Sequence, residues 1–278
     1  MPSEPPDPLG RDDRAQPRTP EDWLRALGEA AAFFTALPLG KDSPRFRAAD
    51  ILPVWPVVGL AIGLAAGIDL AVARWLGAAP WLAAVIGLLT GVILTGALHE
   101  DGLADTTDAF GAPNADRTRR LEILRDSRIG TFGALAIGFS LLLRAAALAQ
   151  VAAVAGTGAA LLALAAVHAL SRAAMAWPVN SSKPARSDGL GAALGKPDAA
   201  IAGWTLAIGG ALAFVCLIGV APLAALLAPP LAVALAAGAT AVARERIGGY
   251  TGDTLGATQQ VVEIGLLVLV ALCVGGGR

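Results

Sequence analysis

The densest chemistry in the chain lies in one stretch, H-E-D-G-L-A-D-T-T-D, from His99 to Asp108. On a helix Asp101 and Asp105 stand four apart, and Asp105 and Asp108 three apart, so the three carboxylates share one face while Glu100 points elsewhere. Nothing cationic lies between them in the sequence. A hard divalent cation relieves the repulsion within such a stack, because Mg²⁺ takes carboxylate oxygens and keeps positions open for phosphate. Gly102 removes a side chain beside the first aspartate, which would admit a bulky phosphate to the backbone. The competing reading is a solvated acidic helix end or a helix cap. Carboxylates are expensive at a membrane boundary, where headgroups are commonly anionic, and that weighs against it.

A second cluster, R-D-S-R-I-G-T-F-G from Arg125 to Gly133, flanks an Asp-Ser pair with two arginines and then opens an apolar run. Free backbone N–H groups at a helix start, beside Arg, make an anion site; a basic juxtamembrane anchor with an ordinary cap is the alternative. The third, G-G-Y-T-G-D-T-L-G-A-T-Q-Q from Gly248 to Gln260, has glycines that let the backbone turn near a ligand, and Asp253 offers a metal ligand or a sugar contact. Glu263 follows at a depth where an unpaired carboxylate is costly, which calls for a partner. Arg144 and Arg172 lie within apolar runs. Arg144 suits a structural pairing with Glu263. Arg172, near His168 and Ser171, is expected to serve the site, with snorkelling to the membrane boundary as the alternative. No second histidine is spaced to help His168 hold a metal, so it reads as a hydrogen-bonded core residue. Together these residues imply metal-assisted transfer of a phosphorylated group, with carboxylates holding the ion, arginines steadying the leaving phosphate, and one carboxylate taking the proton of an attacking hydroxyl.

The elements that must position this chemistry are membrane helices. Apolar residues make up 55% of the 278-residue chain and charged residues 15%, too little polar surface for a water-soluble domain. A net charge of -1 argues against nucleic acid as a partner. Cys216 and Cys273 sit in separate apolar runs without metal-ligand spacing and read as reduced, lipid-buried thiols. A crossing takes about 20 apolar residues. Seven runs qualify, at about Ile51–Ala73, Pro80–Leu98, Thr131–Ala155, Ala159–Trp177, Ala199–Gly219, Pro222–Ala243 and Gly256–Val274, and their many Gly and Ala residues permit close packing. Trp23–Leu39 is too short to cross and suits an interfacial or re-entrant helix. The expected fold is therefore an all-α polytopic bundle of about seven transmembrane helices over residues 21–278. Residues 1–20, rich in Pro, Asp and Arg, form a disordered tail without the apolar core of a signal peptide.

Lys41, Arg45 and Arg47 precede the first run, and Arg117, Arg119, Arg120, Arg125 and Arg128 follow the second. Lys183, Arg186 and Lys196 follow the fourth, and Arg244 and Arg246 the sixth. Alternate connections are nearly bare, so the positive-inside rule places the N-terminus and the acidic segment in the cytoplasm.

These motifs resemble those of the adenosylcobinamide-GDP ribazoletransferases, the cobalamin (5′-phosphate) synthases. The resemblance runs from F-F-T-A-L-P-L-G at Phe33 through the His99–Asp108 and Arg125–Gly133 segments and S-R-A-A-M to G-G-Y-T-G-D-T-L-G-A, nearly the whole chain after the tail. It implies an enzyme of the bacterial cytoplasmic (inner) membrane. In its reaction the 3′-hydroxyl of α-ribazole, or of its 5′-phosphate, attacks the cobinamide-bearing phosphorus of adenosylcobinamide-GDP and GMP leaves, with Mg²⁺ as cofactor. It further implies that Asp101, Asp105 and Asp108 are the metal and catalytic carboxylates. Asp126, Ser127, Arg128, Gly130 and Thr131 would bind substrate phosphates, with Arg172, Thr251 and Asp253 lining the site. Thr35 and Pro38 match the family's N-terminal pattern, whereas Ala36 stands where the family often has Arg. The oligomeric state stays open, a homo-oligomer included. A CDP-alcohol phosphatidyltransferase, similar in logic, is disfavoured because Asp105 stands where its motif carries Arg. A transporter is disfavoured by the absence of an internal repeat.

Overall fold

The structure, a computed structural model, describes residues 17–39 and 46–276. Most of the N-terminal tail, together with Lys41 and Arg45, lies outside the described residues.

The described chain forms an all-α bundle. The first helix, α1 (Pro20–Phe34), starts at a capping box in which Thr19 and Asp22 bond each other's backbone N–H at 3.1 Å, with Pro20 set in the first turn. Ala26, Ala30 and Phe34 are buried against a 3₁₀ turn (Leu52–Val54) and α2 (Trp55–Trp75). At 15 residues it does not cross, as its length in the sequence predicts. Helix α2 and α6 (Thr131–Val154), α7 (Thr157–Ala174, continued by α8, Ala176–Ser181), α10 (Ala199–Leu217), α11 (Pro222–Ile247) and α12 (Gly252–Gly275) are the six segments long and apolar enough to cross a membrane. The most extensive helix pairing is α2 on α7. Gly59, Gly63 and Gly67 line α2 at four-residue spacing, and a Cβ on any of them would run into the chain of His168, Leu164 or Leu161. In lipid, where apolar burial does not draw helices together, such close backbone approach supplies the attraction.

The seventh expected span is broken. Helix α3 (Pro80–Thr95) stops after 16 residues, and α4 (Leu98–Gly111) leaves it at 88°; together the two are long and apolar enough for one broken span or a re-entrant loop. The turn consists of Gly96 and Ala97, both left-handed, at φ 59° and 57°. Hydropathy alone ran the span straight to Leu98, because an alanine in this conformation leaves no compositional mark. Beyond α4 come α5 (Arg117–Ile123) and, after α8, α9 (Gly189–Ala193).

The polar connections gather at one end. Arg117 donates to the Ile247 and Ala185 carbonyls at 2.8 and 2.9 Å, Arg244 to Ser182 at 3.2 Å, and Arg125 pairs with Asp188 at 2.7 Å. An isolated bridge at Pro184 and Tyr250, in which the Tyr250 N–H donates to the Lys183 carbonyl at 3.0 Å and the Ala185 N–H donates to the Tyr250 carbonyl at 2.8 Å, then seats the α8–α9 connection against the entry to α12.

Candidate active site

Helix α4 lies on α12 and α6, and its contact with α12 is close because Gly102 and Gly256 face each other. A Cβ on Gly102 would come 2.6 Å from the Asp253 carbonyl oxygen. The space beside Asp101 is thus filled by the α12 backbone. Gly102 therefore serves helix packing, and its backbone also borders the cleft beside Asp101.

That packing forms a cleft of about 210 Å³ between the start of α4 and the start of α12. Asp101, Asp253 and Arg186 supply its charged wall, and Phe33, Trp55, Met175, Leu190 and Leu255 its apolar one. The Phe33 and Trp55 rings stack with centroids 5.8 Å apart. Asp253 is held by the Thr251 hydroxyl at 3.1 Å and faces the Arg186 guanidinium at 3.7 Å. Thr251 itself is buried and caps α12 in a box with Thr254 (2.8 and 3.3 Å), so it orients Asp253 from behind. Asp101 and Asp105 have no Arg or Lys ion-pair partner among the described residues. Asp105 feels the fields of Asp101, Asp253, Asp108 and Asp126 together.

Asp108 departs from expectation. Its carboxylate accepts the Gly130 and Gly133 backbone N–H groups at 2.7 and 2.9 Å. The helix N-terminus of the second motif is therefore an anion site, as read, but the anion it holds is the side chain of the first motif. Both glycines are needed, since a Cβ at either would strike the Asp108 carboxylate. Among the described residues no three or more His, Cys, Asp or Glu side chains form a group able to hold a metal ion. Asp108, expected as a metal ligand, is in this structure a latch between α4 and α6.

Asp126, Ser127, Arg128 and Thr131 lie on the Asp108 side and do not line the cleft. Hydrogen bonds from Arg128, down to 2.5 Å, hold the Asp126 carboxyl at about 2, well below the usual range. Ser127, Gly130 and Thr131 are exposed beside this pair. Arg172 does not line the cleft. It is 1% exposed, bonded by its guanidinium to His168 Nδ1 at 2.9 Å, and set 5.7 Å over the Phe34 ring. A guanidinium only donates, so His168 Nδ1 accepts. The residue that sequence reasoning missed is Arg186, whose Nη1 is buried without a hydrogen-bond partner. Its surroundings, S-S-K-P-A-R-S-D, carry no spacing cue; only the Pro184–Tyr250 bridge brings it to Asp253.

Arg144 and Glu263 pair as expected, at 2.8 Å, and Arg144 also holds Glu100 at 3.0 Å. The cluster they form with His168, Arg172, Gln259 and Gln260 surrounds only about 10 Å³, room for about one water.

Residues 26–271 match the family described as Cobalamin-5-phosphate synthase. Among curated relatives, the adenosylcobinamide-GDP ribazoletransferase of Rhizobium johnstonii is 41% identical over 258 residues, covering 90% of this chain and 98% of the relative. The enzymes of the same name from Azorhizobium caulinodans (44% identical, 90% and 96% covered) and Bradyrhizobium diazoefficiens (42%, 87% and 91%) are similar to a like degree. No solved structure matches. On the match over nearly its whole helical bundle, the chain belongs to the cobalamin-5-phosphate synthase family.

Proposed function

We propose that this chain is an adenosylcobinamide-GDP ribazoletransferase. It moves the phosphocobinamide group of adenosylcobinamide-GDP to α-ribazole or its 5′-phosphate. The ribazole 3′-hydroxyl oxygen forms the new bond to phosphorus, the bond to the bridging pyrophosphate oxygen breaks, and GMP leaves with that electron pair. The observation that carries this reading is the gathering of Asp101 and Asp253 opposite Arg186 in one cleft, with Asp105 one turn along α4 from Asp101.

Asp101 and Asp105, without a cationic partner, suit Mg²⁺, which is commonly held by one or two carboxylates together with substrate phosphates. Bound there, Mg²⁺ would neutralise the pyrophosphate and stabilise charge on the leaving group. Arg186 steadies a phosphate through its unpartnered Nη1, Asp253 orients a ribose hydroxyl, and one of the carboxylates takes the proton from the attacking oxygen. The apolar wall excludes water and takes a base with few polar edges. Charge on the connections at this end (Arg117, Arg119, Arg120, Arg125, Lys183, Lys196, Arg244 and Arg246) supports its placement on the cytoplasmic side of the inner membrane, the location that goes with this reading.

The deciding experiment supplies purified protein with adenosylcobinamide-GDP, α-ribazole and Mg²⁺ and follows GMP release. Stoichiometric GMP and a cobalamin product are expected; no GMP with either ribazole form would refute the assignment.

A further inference from the structure

Glu100 directly precedes Asp101, yet it points into the bundle and is 7% exposed. At 3.6 residues per turn it lies about a quarter-turn from the Asp101–Asp105 face, so whatever pins Glu100 fixes the aim of that face. Two donors pin it. Arg144 Nη2 reaches Glu100 Oε1 at 3.0 Å, and Gln260 Nε2 reaches the same oxygen at 3.1 Å. Each is braced in turn. Arg144 Nη1 donates to Glu263 at 2.8 Å; Gln260 accepts from Ser140 at 3.0 Å and donates to Gln259 at 3.1 Å. Gln259 donates to Glu263 at 2.6 Å and to Ser171 at 2.9 Å. The chain of bonds thus ties α4 to α6, α12 and α7.

A second observation makes the clamp necessary. Helix α4 begins without a side-chain cap, directly after two left-handed residues, one of them Ala97 at φ 57°. A non-glycine residue stays in that region only where its surroundings enforce it. The 88° turn is a strained pivot, and directly past it His99 stacks on Phe34 and Glu100 takes the first ion pair inside the bundle.

We propose that Glu100 is a positioning residue, and that the Arg144–Gln260 clamp on it holds α4 at the rotation in which Asp101, in the cleft wall, and Asp105, one turn further along, can share a divalent cation. This rests on the transfer reading above, and the test separates the two. Mn²⁺, as a spectroscopic stand-in for Mg²⁺, is titrated into the purified protein and free Mn²⁺ followed by electron paramagnetic resonance; GMP release is measured on the same samples. Glu100→Gln keeps the shape of the side chain and removes its charge. Its Mn²⁺ dissociation constant is expected to rise at least fivefold and kcat to fall at least tenfold, with KM for α-ribazole within twofold. The control is Gln150→Leu, which cuts the bond from Gln150 to the Ala271 carbonyl between the same α6 and α12, remote from α4. It is expected to lower the melting point without moving either constant.

Unchanged Mn²⁺ affinity in Glu100→Gln, an equal loss in Gln150→Leu, or no Mn²⁺ binding by the unaltered protein would each overturn the proposal. If Glu100→Gln does not accumulate, Gln260→Met removes one of the two donors, and a wild-type Mn²⁺ affinity there overturns it as well. Absence of GMP release from the unaltered protein counts against the transfer reading alone, since Mn²⁺ binding is scored without turnover.

Discussion

Replacing Asp108 by Asn separates a latch from a metal ligand. In the structure both oxygens of the carboxylate accept backbone N–H groups at the start of α6, at 2.7 and 2.9 Å. A hydrogen bond to a charged acceptor contributes about 1.5–3 kcal/mol, and a negative charge at a helix N-terminus adds about 0.3–1 kcal/mol. Asparagine keeps one carbonyl oxygen but turns an NH₂ group toward the second N–H, so one bond and the charge are lost together. The expected destabilisation is about 2–4 kcal/mol. At roughly 2–4 °C per kcal/mol for a chain of this size, the melting point in detergent should fall by about 4–16 °C. Mn²⁺ affinity, measured below the new melting point, should change by less than about threefold (under 0.7 kcal/mol). A variant that keeps its melting point but loses Mn²⁺ affinity a hundredfold would refute this reasoning and return Asp108 to the metal shell.

Arg144→Met should destabilise the bundle by about 3–5 kcal/mol, because Glu100 and Glu263 are left charged and unpaired in the interior; denaturant unfolding in mixed micelles checks it. Arg186→Gln should raise KM for adenosylcobinamide-GDP by about 10–100-fold, the loss of one charge-assisted phosphate contact, with the melting point unmoved; steady-state GMP release measures it. Ala97→Gly should stabilise the fold by about 1 kcal/mol by relieving the left-handed turn, read as a raised melting point.

Much of the architecture was legible because hydropathy and charge are summed over long runs. Six crossings, the short α1 and the gathering of basic loops follow from such sums. The Arg144–Glu263 pair was legible for a related reason, since two opposite charges at matching depth have few other partners. What escaped depends on contacts between remote segments. Asp108 and its partners Gly130 and Gly133 are separated by α5 and its loops, and each motif taken alone invites an external ligand. Arg172 sits near a span end, where nothing in the sequence separates a residue facing the cleft from one turned onto His168 and Phe34. Arg186 enters the cleft only through the pairing of Pro184 with Tyr250.

The short α3 bears on the choice of lipid. Its 16 residues span about 24 Å at the helical rise, while a typical hydrocarbon layer is about 30 Å thick. A bundle with one member this short presents a hydrophobic mismatch on the side where α3 faces lipid. Bilayers relieve such a mismatch by thinning, or by wetting the recessed end. In a thick bilayer the pivot into α4 would lie below the plane of the surrounding headgroups, and turnover should depend on acyl-chain length. Proteoliposomes of shorter-chain phospholipid should support faster GMP release than those of longer-chain phospholipid at equal protein density. The thickness of the host membrane thereby becomes a physical variable of the reaction.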